Sequence, residues 1–424
     1  MVRQRPRDYT LWTLTLAYLL SQFFRSYVAV VAPQLIADYG FTQKMFGLFA
    51  GAFFLTFACA QIPLGLAFDR FGIGRPTVLC MSVGTGGAAT LPLTHDPVLA
   101  LASQAALGLG CAPIFMGLLN HVLVAGHGQR QVRTVTVASG IGIFGALIAA
   151  LPLAWAATKI GWRPAMGVAA AAMALTTAAV TASLWRRPRA AARRKDLGQG
   201  PRRTRASNNA RSNNLAFLTL LPVCFALSAG GTFRTSWGGP YFADVFALDT
   251  VARGRVMTAA SVSALVVSLI IPLLVRRFSV KALSLAGLSL GILAAALLLV
   301  LPSYNALLSA SLVCVLFSVG AIHPLVMSQA RAISAASSLG LRLGILNSMV
   351  FLGVAVTSNC FGWLAARGIR EGLPAPDIFA RLFLFTMIVL VIGLATYVFS
   401  PSVQSEDSAN VVRRTRPVSP VGDK

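Results

Sequence analysis

Apolar residues run through this chain in long blocks separated by short polar breaks. A block of about 20 such residues is long enough to cross a hydrocarbon layer of about 30 Å as a helix. Blocks of that length fall at 11–37, 45–68, 76–94, 98–125, 135–157 and 164–185, and after a break at 215–243, 254–275, 280–301, 305–330, 343–366 and 378–399. The pattern predicts an all-α membrane protein of twelve transmembrane helices in two sets of six. It divides the chain into an N-terminal six-helix bundle (1–185), a basic linker (186–214), a C-terminal six-helix bundle (215–400) and a polar tail (401–424), with linker and tail expected to be disordered.

Composition supports a membrane rather than a soluble chain. Hydrophobic residues make up 56% and charged residues 11%, against about 25% charged in soluble domains; mean hydropathy is +0.73. The net charge of +24, from 36 Lys and Arg against 12 Asp and Glu, changes the picture only through its distribution. If the N-terminus is cytoplasmic, 26 basic residues fall on the cytoplasmic side and 8 on the other, with two inside apolar blocks. That is the bias of a multi-pass protein with both termini cytoplasmic, in a bacterial inner membrane or one derived from it. The linker carries ten basic residues and the single acid Asp196, which predicts contact with anionic lipid rather than nucleic acid. MVRQRPR before the first block reads as the flank of an uncleaved helix, since no small-residue cleavage site follows a short apolar core. The six cysteines form no C-x-x-C pair, so neither a metal site, a cofactor nor a disulfide framework is indicated. No nucleophile, base and orienter appear together, so no enzyme is expected, and a monomer is the expected unit.

The halves repeat each other. Phe24-Arg25-Ser26 returns as Phe233-Arg234-Thr235, 209 positions later, and Pro113-Ile-Phe-Met116 as Pro324-Leu-Val-Met327, 211 positions later. Pro33 and Asp38 have counterparts in Pro240 and Asp244. Six spans per half give both repeats one orientation, and carriers built this way bind substrate near the midplane between the repeats.

Between the second and third blocks stands QIPLGLAFDRFGIGRP, with Gly65, Asp69, Arg70, Gly72 and Arg75 in order. This resembles the G-x-x-x-D-R-x-G signature loop of the major facilitator superfamily; Gln61, Pro63 and Gly161-Trp162-Arg163 add to the likeness, which covers residues 9 to 400. The second-half copy, PLLVRRFS, has Pro272 and Arg276 where the first has Gly65 and Asp69. The resemblance implies alternating access, with Gly65, Asp69, Arg70, Gly72 and Arg75 as a conformational gate and Asp69 closing the cytoplasmic side against the N-terminal end of helix eleven. Arg70 and Arg75 read equally well as plain topogenic charge.

Arg25 lies 14 residues beyond Leu11, about 21 Å along a helix axis, too deep for easy snorkelling. Neither it nor Arg234 has a carboxylate three or four residues away. A guanidinium holds its proton and offers a planar fork to carboxylate or phosphate oxygens. The pair therefore predicts a small anionic substrate clamped from both halves, unless carbonyls or a distant acid satisfy it. Facilitators that exchange phosphate esters for phosphate resemble this arrangement, and organic-anion symporters share the arginine in helix one. No acid lies between Pro97 and Lys195 or between Thr250 and Arg370, so proton coupling would fall to His323, or next to His121. His323 joins Arg25 and Arg234 as a candidate substrate-binding residue. Competing readings are efflux of hydrophobic compounds, an iron-related facilitator of the magnetosome type, and a membrane scaffold or sensor on a transporter fold.

Overall fold

The computed structural model describes residues 9–125, 129–185, 210–334 and 339–401, and every regular element among them is a helix. The first half comprises α1 (Tyr9–Phe24), α2 (Val28–Tyr39), α3 (Gln43–Phe71), α4 (Gly74–Leu93), α5 (Pro97–Ala125), α6 (Gln129–Ile148), α7 (Leu151–Lys159) and α8 (Trp162–Trp185). In the second, α9 (Ala210–Leu218), α10 (Leu220–Thr232), a π-helical turn (Phe233–Trp237) and α11 (Gly238–Phe246) form one run. Then follow α12 (Thr250–Leu274), α13 (Val280–Val300), α14 (Ala306–Ser318), a 3₁₀ turn (Val319–Ile322), α15 (His323–Ile333), α16 (Leu339–Arg370) and α17 (Ala375–Val398). Linker residues 186–209 and tail residues 402–424 lie outside the described residues; the second half already begins as helix at Ala210, inside the predicted linker.

Among the described residues ten helical spans are long and apolar enough to cross a membrane, and α1 with α2, bent by 54°, makes eleven. The remaining predicted segment, α4, is a 20-residue helix whose glycines and threonines keep its hydropathy lower. Packing accounts for that composition. A Cβ on Gly84 would stand 2.7 Å from the Gly110 Cα of α5, and one on Gly87 2.6 Å from the Ser103 carbonyl. Small residues let helix backbones approach closely in a membrane.

Local signals set the turns. Thr42, Asp249, Ser279 and Asn305 accept backbone N–H groups at the starts of α3, α12, α13 and α14. Gly72 closes α3 at φ 73°, a region that suits glycine.

The halves meet along a seam in which α3 and α16 run antiparallel. At the end remote from the linker the seam is tight: a Cβ on Gly47 would lie 2.9 Å from the Gly362 Cα, and one on Gly51 2.5 Å from the Asn359 Nδ2. Beside it, the Ala29 carbonyl abuts Gly239; Pro33, which has no N–H, leaves that carbonyl without its helical donor. Further cross-links are Gln34 Nε2 to Thr250 Oγ1 at 2.9 Å and the Leu151 N–H to Thr258 Oγ1 at 3.2 Å. Toward the linker the seam loosens. Gln61 accepts from Asn347 at 3.3 Å, and at Gly65 and Gly344 a Cβ would meet no atom closer than 4.0 Å.

Each half is braced by its own charges at the tight end. Asp38 accepts from Trp162 Nε1 at 2.6 Å and from Arg163 Nε at 3.2 Å, while Arg163 Nη1 reaches the Pro92 and Thr94 carbonyls. Asp38 is thus engaged by Arg163 and not by Arg25. In the second half Glu371 pairs with Arg367 at 2.7 Å and Arg381 at 2.6 Å, and these partners hold its carboxyl below the usual carboxylate range.

Candidate functional site

Both arginines of the repeated motif sit at interruptions of their helices. Arg25 occupies the bend between α1 and α2, and Arg234 lies in the π-helical turn Phe233–Trp237. Such interruptions turn a side chain off the regular helical face, and π-turns occur often at functional sites.

Their surroundings differ. The Arg234 guanidinium is 2% exposed and engaged: Nε and Nη2 donate to Ser261 Oγ at 3.2 and 2.8 Å, and Nη2 also donates to the Ala146 carbonyl at 3.0 Å. That carbonyl is available because the fifth span breaks there: the Ala150 N–H turns to Leu147 rather than continuing the ladder. A cation from the second half therefore caps an orphan carbonyl near the C-terminal end of α6 in the first.

Arg25 is half-buried, and its fork points at no acceptor among the described residues; the buried Nε is unpaired. Phe57 of α3 and Phe351 of α16 stand together on one side of it, their ring centroids 4.4 and 4.9 Å from its Cζ. The two rings lie 4.3 Å apart, so the guanidinium lies against aromatic groups from both halves. Among the described residues the titratable side chains beside it are Tyr18 and Cys111, neither of them a carboxylate. Tyr18 packs on Phe115 of α5 at 4.9 Å and accepts from Gln22 at 3.3 Å.

One helical turn along the seam from the Phe57–Phe351 pair lies the Gln61–Asn347 bond, and beyond it opens a cavity of about 500 Å³ on the linker side. Its lining is amide and apolar, with Gln61 and Asn120 beside Gly65, Phe68, Met116 and Leu341. A larger groove of about 830 Å³ runs between α3, α4 and α5 and is almost wholly apolar apart from Arg75 and Thr56. Exposed Leu79 and Phe71 mark it as lipid-facing, away from Arg25.

Other predicted residues fall elsewhere. His323 begins α15, with Nε2 buried and unpaired among the described residues. His121 is buried on α5. Gly65 lines the linker-side cavity. Arg70 is exposed and lies over the Phe71 ring at 5.2 Å. The Asp69 side chain, and residues 335–338 ahead of the α16 end it would engage, lie outside the described residues. Among the described residues no group of three His, Cys, Asp or Glu could hold a metal ion. Sequence reasoning missed Phe57, Phe351 and Asn347, and took Gln61 only as part of the signature likeness. The Gly47-x-x-x-Gly51 spacing marks that face of α3 as a helix contact.

Residues 14–320 match the family profile of the Major Facilitator Superfamily. The chain belongs to that superfamily. As its member the protein is a multi-pass membrane transporter and not an enzyme. Solved structures share the superfamily fold at low identity. A bacterial homolog to the human lysosomal transporter Spinster, in an inward-facing and occupied conformation, is 16% identical with a TM-score of 0.71, over 94% of this chain and 97% of that one. The nucleoside transporter NupG is 13% identical with a TM-score of 0.68, over 92% and 99%. A peptide transporter POT in complex with alafosfalin is 13% identical with a TM-score of 0.71, over 95% and 96%. No curated protein matches the chain in sequence.

Proposed function

We propose that this superfamily member is a secondary or facilitative carrier of a small anion, working by alternating access. The reading places twelve membrane-spanning helices with both termini and the linker in the cytoplasm, the linker lying on anionic lipid. The observation that carries it is Arg25: a guanidinium in the seam between the halves, with no carboxylate acting on it and its Nε unpaired among the described residues. An isolated buried charge is costly, and an anion supplied by the substrate offsets that cost in the bound state. The seam is tight at one end and opens into a cavity at the other, which fits a carrier caught open toward the linker. On this reading Asp69, with its loop partners Arg70, Gly72 and Arg75, closes the open end in the alternate state.

Proteoliposome flux tests the proposal. Purified protein should accelerate entry of radiolabelled benzoate or phosphate above protein-free vesicles, and Arg25→Met should remove the acceleration. If flux of both anions equals that of empty vesicles, or is the same in the wild type and Arg25→Met, the anion reading fails.

A further inference from the structure

We infer that the transported anion is a monocarboxylate with an apolar, ring-bearing body, its carboxylate on the edge of Arg25 and its body among aromatic side chains. This rests on the anion reading above and narrows it.

Charge sets the first limit. Arg234, the matching arginine of the second half, has its Nε and Nη2 engaged by Ser261 and the Ala146 carbonyl. One open guanidinium balances one negative charge. A dianion would bring an unbalanced charge into surroundings where desolvation is costly.

Geometry sets the second. Phe57 and Phe351, their rings 4.3 Å apart, stand together on one side of the Arg25 guanidinium, and no acceptor among the described residues takes its N–H edge. That edge matches the two oxygens of a carboxylate. A tetrahedral oxyanion needs donors from several directions, and Gln61 and Asn347, the nearest amides along the seam, are bonded to each other.

The approach sets the third. Among the described residues the lining of the linker-side cavity is uncharged, and Gly65 and Gly344 widen it. Such a path suits a ligand that presents apolar surface and carries a single charge. Aromatic side chains stand against Arg25 itself, Phe57 and Phe351 directly and Tyr18 packed on Phe115, and flat rings pack well on such groups.

Calorimetric titration of the intact protein in detergent with benzoate, acetate and sulfate separates these limits. Benzoate should bind roughly ten-fold or more tightly than acetate, because its ring buries apolar area that acetate lacks. Sulfate, a permanent dianion, should bind more weakly than acetate. A smaller benzoate preference overturns the ring-bearing body, and sulfate binding as tightly as acetate overturns the single charge; either leaves the anion reading standing. If none of the three binds, the anion reading falls and takes this inference with it.

Discussion

Arg25 and Arg234 occupy matching places in the two halves, each inside a Phe-Arg-(Ser/Thr) triplet at a helix interruption, yet their chemistry has parted. Arg234 is enclosed and hydrogen-bonded to a hydroxyl of its own half and a carbonyl of the other. Arg25 lies against two rings with its buried Nε unpaired. Hydrogen bonds to a charged group contribute about 1.5–3 kcal/mol, and an unmet buried donor costs a similar amount. One copy therefore serves the architecture, and the other keeps a donor in reserve. A repeated residue in a duplicated fold is evidence of a shared backbone position, not of a shared task.

The sharpest way to break this contrast is Arg25→Met. Without the fork, affinity for a carboxylate probe such as benzoate should fall about 100-fold, close to 3 kcal/mol. The melting temperature of the empty protein should hold or rise, because a poorly compensated buried charge is removed. Calorimetry with a parallel melting curve checks both. A lower empty-state melting point with unchanged affinity would make Arg25 a structural residue.

Arg234→Met should give the opposite pattern. Ser261 and the Ala146 carbonyl lose their charged donor, a loss of about 2 kcal/mol, so the empty protein should melt of order 5 °C lower. Affinity for benzoate should stay within about three-fold of the wild type. Loss of binding at an unchanged melting point would restore a clamp made by both arginines, as the sequence alone suggests.

How far the sequence reaches follows from what it encodes directly. Membrane spans are legible because a lipid core demands sustained apolarity, and α4 is the weakest case because close packing selects Gly84 and Gly87 over larger apolar residues. Arg25 is legible because charge in an apolar block is rare. The difference between Arg25 and Arg234 is not, since Ser261, Ala146, Phe57 and Phe351 stand 27 to 326 positions away from their partners. Which acceptor or ring folds back on a guanidinium is a property of helix packing. The same holds for the bond between Gln61 and Asn347, which only the antiparallel seam brings together.

Phe351→Leu sharpens the contrast at smaller scale. It keeps apolar volume but removes one ring from Arg25, a change of about 1 kcal/mol. Benzoate affinity should fall about five-fold while acetate affinity changes less, because the ring also serves the ligand's body. Equal losses for both probes would mean that Phe351 acts only by holding the guanidinium.

The smallest expected effect comes from Ser261→Ala, and it isolates what holds Arg234. Ser261 Oγ accepts from Nε and Nη2 of Arg234 and itself donates to the Met257 carbonyl at 2.7 Å. Removing the hydroxyl leaves the arginine its bond to Ala146, so the two halves stay linked through that carbonyl. Two forces oppose each other: Nε loses its acceptor, but the cavity left is only a hydroxyl wide, and Arg234 can turn toward other carbonyls. The net loss should be about 0.5–1 kcal/mol, read as a melting point lower by about 1–3 °C. Benzoate affinity should be unchanged, since Arg25 is untouched. An increase in sulfate affinity would show instead that Ser261 keeps Arg234 from the ligand, and that releasing it recreates a second positive edge in the site.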